Sequence, residues 1–236
     1  MDVLSEAWAR ALSTQSPPAP GVVAAAAAVA ALLVVLPGVW PIARHVVTIV
    51  HEGAHGLAAL LTGRRLKGIR LHSDTSGLTV SAGKPRGPGM IVTAAAGYIG
   101  PAVLGLGAAS LLAADRPALL LWGLLLVLAL LLVQIRNWFG AWSVVVCGVV
   151  LFAASWWLPE RHLSAFAYLV TWFLLLAAPR PVLELQAQRW RRRARNSDAD
   201  QLAALTGVPA LIWVGLFLLL AVGAAVLGGQ LLMVAA

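Results

Sequence analysis

The chain has 236 residues, of which 61% are hydrophobic and 11% charged, and its mean hydropathy is +0.88. Soluble domains of this length do not carry so much apolar side chain, so composition excludes a soluble enzyme and predicts an all-α polytopic membrane protein. The net charge of +8 does not indicate nucleic acid, because the basic residues fall between apolar runs, where a membrane-facing belt accounts for them. The single cysteine, Cys147, excludes an internal disulfide and a thiolate metal centre.

In chain order, residues 1–20 carry Asp2, Glu6 and Arg10 and then Pro17, Pro18 and Pro20. They lack the basic start of a secretory signal and are expected to form a cytoplasmic N-terminal segment. Residues 21–230 are expected to be one membrane-embedded domain. A first, short apolar segment covers 21–36 and stops at Pro37-Gly38. A second covers about 42–62, following Pro41, which suits the first turn of a helix.

The loop 64–88 is polar. Within it Ile69-Arg70-Leu71-His72 and Leu78-Thr79-Val80-Ser81 alternate on either side of Asp74-Thr75-Ser76-Gly77, which predicts a β-hairpin. Further apolar segments follow at 89–113, 117–135, 141–158 and 163–178. A basic loop covers 179–207, and a last apolar segment covers 208–230. The expected fold is therefore about seven transmembrane helices with a small cytoplasmic β-hairpin. With seven spans, fourteen of the 17 Lys and Arg residues fall on one side, together with the hairpin. The positive-inside rule makes that side cytoplasmic, with the N-terminus inside and the C-terminus outside a multi-pass cell-membrane protein.

The second apolar segment contains His51-Glu52-Gly53-Ala54-His55. Ionisable groups are costly in a bilayer and seldom stand there without a task. Positions four apart on a helix share one face, so His51 and His55 can close on one metal ion from a single helix. Glu52 projects beside the metal rather than onto it, where it can take a proton from an activated water and pass it to a leaving amine. Zinc is the usual partner of this spacing.

A catalytic zinc takes three protein ligands, and the helix supplies two. On the hairpin side the candidates for the third are His72, Asp74, Glu184, Asp198 and Asp200. Asp115 and Glu160 fall on the opposite side, and His45 lies about 240° round the helix from His51. Ser197 and Asp198 also fit a helix N-cap, and both roles are met if Ser197 or Asp200 serves the helix end while Asp198 turns to the metal. Arg136-Asn137-Trp138-Phe139-Gly140 reads either as an interfacial turn or as a site element in which Asn137 donates to a substrate carbonyl or oxyanion. Gly97, Gly100, Pro101, Gly105 and Gly107 predict a helix face for close packing, facing the metal helix. The tract from Arg189 to Arg195 predicts a juxtamembrane anchor to anionic lipid.

Taken together, these residues resemble the site-2 protease superfamily of intramembrane zinc metalloproteases, and within it the small bacterial peptidase-like members. The likeness rests on the His-Glu-x-x-His helix, the polar hairpin after it, Ser197-Asp198-Ala199 before a late span, and Arg136 to Gly140, and it covers roughly residues 42–220. It implies His51 and His55 as zinc ligands, Glu52 as general base and a transmembrane protein as substrate; Asp198, with Asp200 as second choice, is expected to substitute for the third ligand that the superfamily takes from a later span. The chain has neither the Leu-Asp-Gly element nor the PDZ domain common in that superfamily. The alternative expectation is a non-proteolytic metal-binding scaffold or sensor that keeps the same helix.

Overall fold

A computed structural model describes residues 12–191 and 197–234. Its elements in order are α1 (Pro20–Val35), α2 (Trp40–Leu61), β1 (Arg65–Leu71), β2 (Gly77–Ala82), α3 (Pro88–Ala113), α4 (Pro117–Gln134), α5 (Trp138–Trp157), α6 (Glu160–Ala177), α7 (Pro179–Trp190), α8 (Asp198–Thr206) and α9 (Ala210–Val234). Proline stands in the first turn of α1, α2, α3, α4 and α7, where its missing N–H costs nothing and its fixed φ favours the helix. Gly63 and Gly207 follow the ends of α2 and α8 at φ +72 and +75, a left-handed turn that ends a helix and suits glycine.

The number of crossings differs from the sequence expectation. α3, α4, α5, the continuous α6–α7 rod and α9 are each long and apolar enough to span. α1 and α2 meet that test only as a pair bent by 99°, which makes up to six crossings rather than about seven. At 16 residues α1 is about 24 Å long, short of a hydrocarbon layer of about 30 Å. Arg44, the histidines and Glu52 dilute the apolar character of α2.

The start of α1 has contacts that the seven-span count does not anticipate. The N–H of Gln15 donates to the carbonyl of Asp115 at 3.0 Å, and the Arg116 guanidinium donates to the carbonyl of Leu12. Residues 12–15 therefore lie at the α3–α4 connection, which the seven-span count put on the opposite face. At its other end α1 meets the α6–α7 junction, where Val34, Val35, Leu176, Pro179 and Leu183 line a common groove. Residues 1–11 of the expected N-terminal segment are outside the described residues, as are Arg192, Arg193 and Arg195 of the expected lipid anchor.

Four apolar clusters hold the bundle, the smallest a set of alanines at Ala102, Ala178, Ala221 and Ala224. The largest joins α1, α3, α4 and α6 around Leu112, Leu121, Tyr168 and Leu175. A second packs α7, α8 and α9 against the start of α3 around Val182, Leu202 and Phe217. A third places Ile49 of α2 against Ile69 and Leu71 of β1, with Ile135 and Val144. Most of the remaining apolar side chains of α4, α5 and α9 point outward, as expected for faces that meet lipid.

The two strands pair antiparallel, with Ile69 opposite Thr79 and Leu71 opposite Gly77. The hairpin lies on α2, and Gly56 gives it room: a Cβ there would come within 3.2 Å of Leu66 and 3.3 Å of Ile69. The far edge of β1 is closed. Ile69 bridges Ile135, and the Arg136 N–H donates to the Ile69 carbonyl at 2.8 Å.

Candidate active site

α2 presents Arg44, Thr48, His51, Glu52 and His55 within about 100° of arc, since their spacings are three and four residues. His51 and His55 face α3 and the start of α8. Their Nε2 atoms are 3.1 Å apart, and each lies 3.2 Å from Oδ2 of Asp198. Nδ1 of His55 is 2.7 Å from the Thr93 carbonyl, which can only accept, so the proton sits on Nδ1 and Nε2 turns a lone pair to the cluster.

These donors suit a metal ion. Imidazole nitrogens and a carboxylate oxygen facing one another at 3.1–3.2 Å need a proton or a metal ion among them, and two imidazoles with a carboxylate are a donor set that zinc takes. Ligands about 2.0–2.1 Å from a tetrahedral zinc are about 3.3 Å apart, so the triangle fits such an ion. It is the group of three His, Cys, Asp or Glu side chains able to hold a metal among the described residues.

Gly97 of α3 makes the approach possible. A Cβ at that position would fall on Nε2 of His55 and 2.6 Å from Nε2 of His51. One turn on, Gly100 similarly admits Ala54 of α2, as the sequence predicts for this face, whereas Gly105 admits Leu175 of α6 at 3.0 Å. Gly107 meets nothing within 4 Å. Gly97→Ala is expected to lower zinc affinity about 100-fold or more, beyond the usual effect of groups that orient ligands. Zinc titration of the purified variant checks this, and unchanged affinity contradicts the geometry.

Asp198 reaches the histidines because α8 begins there. Ser197 caps α8 in a box with Asp200: the Asp200 N–H donates to Ser197 Oγ at 3.3 Å, and the Ser197 N–H donates to Asp200 Oδ2 at 3.1 Å. Asp200 also pairs with Arg189 of α7. Burial resists its ionisation, but the Ser197 and Arg189 bonds outweigh that and hold its carboxyl below the usual range. Asp200 thus works on the helix end, while Asp198 stands with the histidines. His72 and Asp74 lie at the exposed hairpin turn, where Ser76 donates to Asp74 and lowers its pKa. Glu184 is engaged by Trp40, Arg44 and Arg180.

Glu52 is 5% exposed and points past the metal cluster toward β2. Thr79 Oγ1 donates to its Oε2 at 2.7 Å. Oε1 stays beside Gly77, where a Cβ would come within 2.5 Å of it. A cavity of about 430 Å³ opens at this point, lined by Thr48, His51, Glu52, Thr79, Tyr98 and Asp198 among others.

Asn137 is not in that cavity. Its Nδ2 donates to the Leu71 carbonyl at 2.7 Å and its Oδ1 accepts the Leu71 N–H at 3.1 Å. Both halves of the amide are spent on the outer edge of β1, so the expected donation to substrate is corrected to a structural task. Gly140 leaves the room, since a Cβ there would lie 2.7 Å from Asn137 Oδ1. Asn137→Ala leaves two backbone groups of buried Leu71 unpaired. It is expected to cost about 2 kcal/mol or more of stability with metal content unchanged, read by thermal unfolding and metal analysis.

The same contacts identify the open edge. Leu71 and Ile69 send their backbone groups to Asn137 and Arg136. Their partners Gly77 and Thr79 must point theirs the other way, along the free edge of β2 beside Glu52. Sequence reasoning did not single out Thr79, Thr93, Tyr98, Arg44 or Thr48. A signal existed only for Arg44 and Thr48, which continue the polar stripe of α2 at four-residue spacing.

Fold and site together define a helical membrane protein with a His-Glu-x-x-His centre completed by an aspartate. A family model described as Peptidase M50B-like matches residues 24–228, so the chain belongs to that peptidase family, within the site-2 protease superfamily. Comparisons with curated proteins and with solved structures found no match.

Proposed function

We infer that this protein is an intramembrane zinc endopeptidase that cleaves transmembrane protein substrates near the cytoplasmic side. The observation that carries this is the position of Glu52, whose carboxylate stands between the His51, His55 and Asp198 triangle and the open edge of β2. A zinc ion held by that triangle would supply Lewis acidity, making water reactive at neutral pH and polarising the peptide carbonyl.

The chain's own groups do the rest. Gly77 and Thr79 offer backbone N–H and C=O to an extended peptide, which adds as a third strand and lies along Glu52. A transmembrane helix must unwind locally to do this, and non-helical backbone is tolerated at membrane depth only in such a polar cavity. Oε1 of Glu52 takes a proton from the attacking water and gives it to the departing amine nitrogen. Thr79 keeps the other oxygen fixed while this happens.

The hairpin side is placed in the cytoplasm because it carries most of the Lys and Arg residues. Anionic lipid is proposed to meet the basic residues of the hairpin and of the 179–207 loop. Nucleic acid is not a proposed partner. The scaffold or sensor reading is less well supported, since it gives no reason for a buried carboxylate aimed at a free strand edge.

The test is a comparison of membrane-protein turnover by the wild type and by Glu52→Gln, both loaded with zinc. Equal turnover refutes the assigned base.

A further inference from the structure

Thr75, in the turn between β1 and β2, combines features that the chemistry just described does not use. It is 9% exposed, and its φ is +67. A β-branched residue enters that left-handed region only where its surroundings over-determine it. Here they do. Arg44 NH1 donates to Thr75 Oγ1 at 2.7 Å, and Thr48 Oγ1 donates to the Thr75 carbonyl at 2.9 Å.

Arg44, Thr48 and Glu52 are successive turns of one face of α2. All three bond the hairpin, the first two at Thr75 and the third at Thr79. Arg44 is anchored in its turn. Its Nε is 3.3 Å from Glu184 of α7, and Glu184 accepts from Trp40 Nε1 at 2.6 Å. Arg180 lies over the Trp40 ring at 4.4 Å. The hairpin turn is thus tied through α2 to α7.

We propose that Thr75, gripped by Arg44 and Thr48, is a positioning residue that sets the register of the open β2 edge against Glu52 and the histidines. The proposal rests on the peptidase reading for its role in turnover, but the clamp itself does not. Among the described residues β2 has no strand on its outer side, so its place on α2 depends on side-chain ties, Thr79 to Glu52 within the strand and Thr75 to Arg44 and Thr48 at the turn. The ladder with β1 runs from Ala82 to Gly77 and moves β2 together with the hairpin, and just beyond its Gly77 end Thr75 ties that hairpin to α2. Releasing Thr75 leaves the metal ligands on α2 and α8 untouched, because none of them bonds the turn.

The experiment uses the full chain in detergent, with zinc bound. Hydrogen exchange across residues 70–82 is compared for wild type, Thr75→Ala and Thr75→Ser. The probe for turnover is a synthetic single-span peptide with a glycine-rich break near its cytoplasmic end. Thr75→Ala is expected to exchange about tenfold faster in the hairpin and to raise KM about tenfold, while kcat and zinc stoichiometry stay within threefold. Thr75→Ser keeps the hydroxyl and is expected to stay within twofold of wild type in both.

Unchanged exchange in Thr75→Ala overturns the clamp. A loosened hairpin with unchanged KM overturns its positioning role, and a drop in zinc content shared by both variants reduces Thr75 to general stability. Failure of the peptidase reading is seen separately, as cleavage of the same peptide that does not depend on Glu52. The exchange result needs no turnover and stands apart from it.

Discussion

Glu52→Gln is expected to keep a full equivalent of zinc and to lose roughly 10²–10⁴-fold in cleavage rate, the range that a general acid–base group contributes. The amide is nearly the same size, so the tight space beside Gly77 is not disturbed. It can still accept from Thr79, but it cannot take a proton from water. Metal analysis by mass spectrometry and cleavage of a co-expressed single-span protein check the two halves. Retained zinc with lost cleavage supports the base; lost zinc shows that Glu52 helps to hold the metal; retained cleavage removes it from the chemistry.

Asp198→Ala is expected to have the largest effect on the metal itself. It leaves two imidazoles, one turn apart on α2, as the protein ligands. The loss of zinc affinity should exceed the roughly 10–100-fold typical of groups that only orient ligands. Asp200→Asn makes the useful contrast. That residue caps α8 and pairs with Arg189, so its loss should cost about 1 kcal/mol of stability and leave zinc bound. If Asp200→Asn strips the metal and Asp198→Ala does not, the two aspartates have exchanged roles and the site drawn above is wrong.

Much of the site is legible in the sequence because it is local. The spacing of His51 and His55 fixes their common face through helix geometry alone. Polar groups in an apolar run announce a task because lipid offers them no partner. Ser197 and Asp200, three residues apart, form a cap by local bonds, which left Asp198 free for the metal. The glycine face of α3 is also visible, as small side chains at helical spacing.

What could not be read there depends on contacts between distant segments. The bend of 99° between α1 and α2 has no local signal, so the sequence counts them as two spans where the structure has a bent pair. Asn137 looked like a substrate ligand because its amide can donate and accept, and only the packing of β1 against the 135–137 turn shows that both functions are already used. Thr79 is an ordinary strand residue until the hairpin folds onto α2. A membrane bundle, a His-Glu-x-x-His helix and a hairpin are legible in the chain alone, since periodicity, spacing and transfer energy act over a few residues. Contacts across the fold settle which aspartate stands with the histidines, which edge of the hairpin stays open and which partner holds Glu52, because such hydrogen bonds are made or lost over tenths of an ångström.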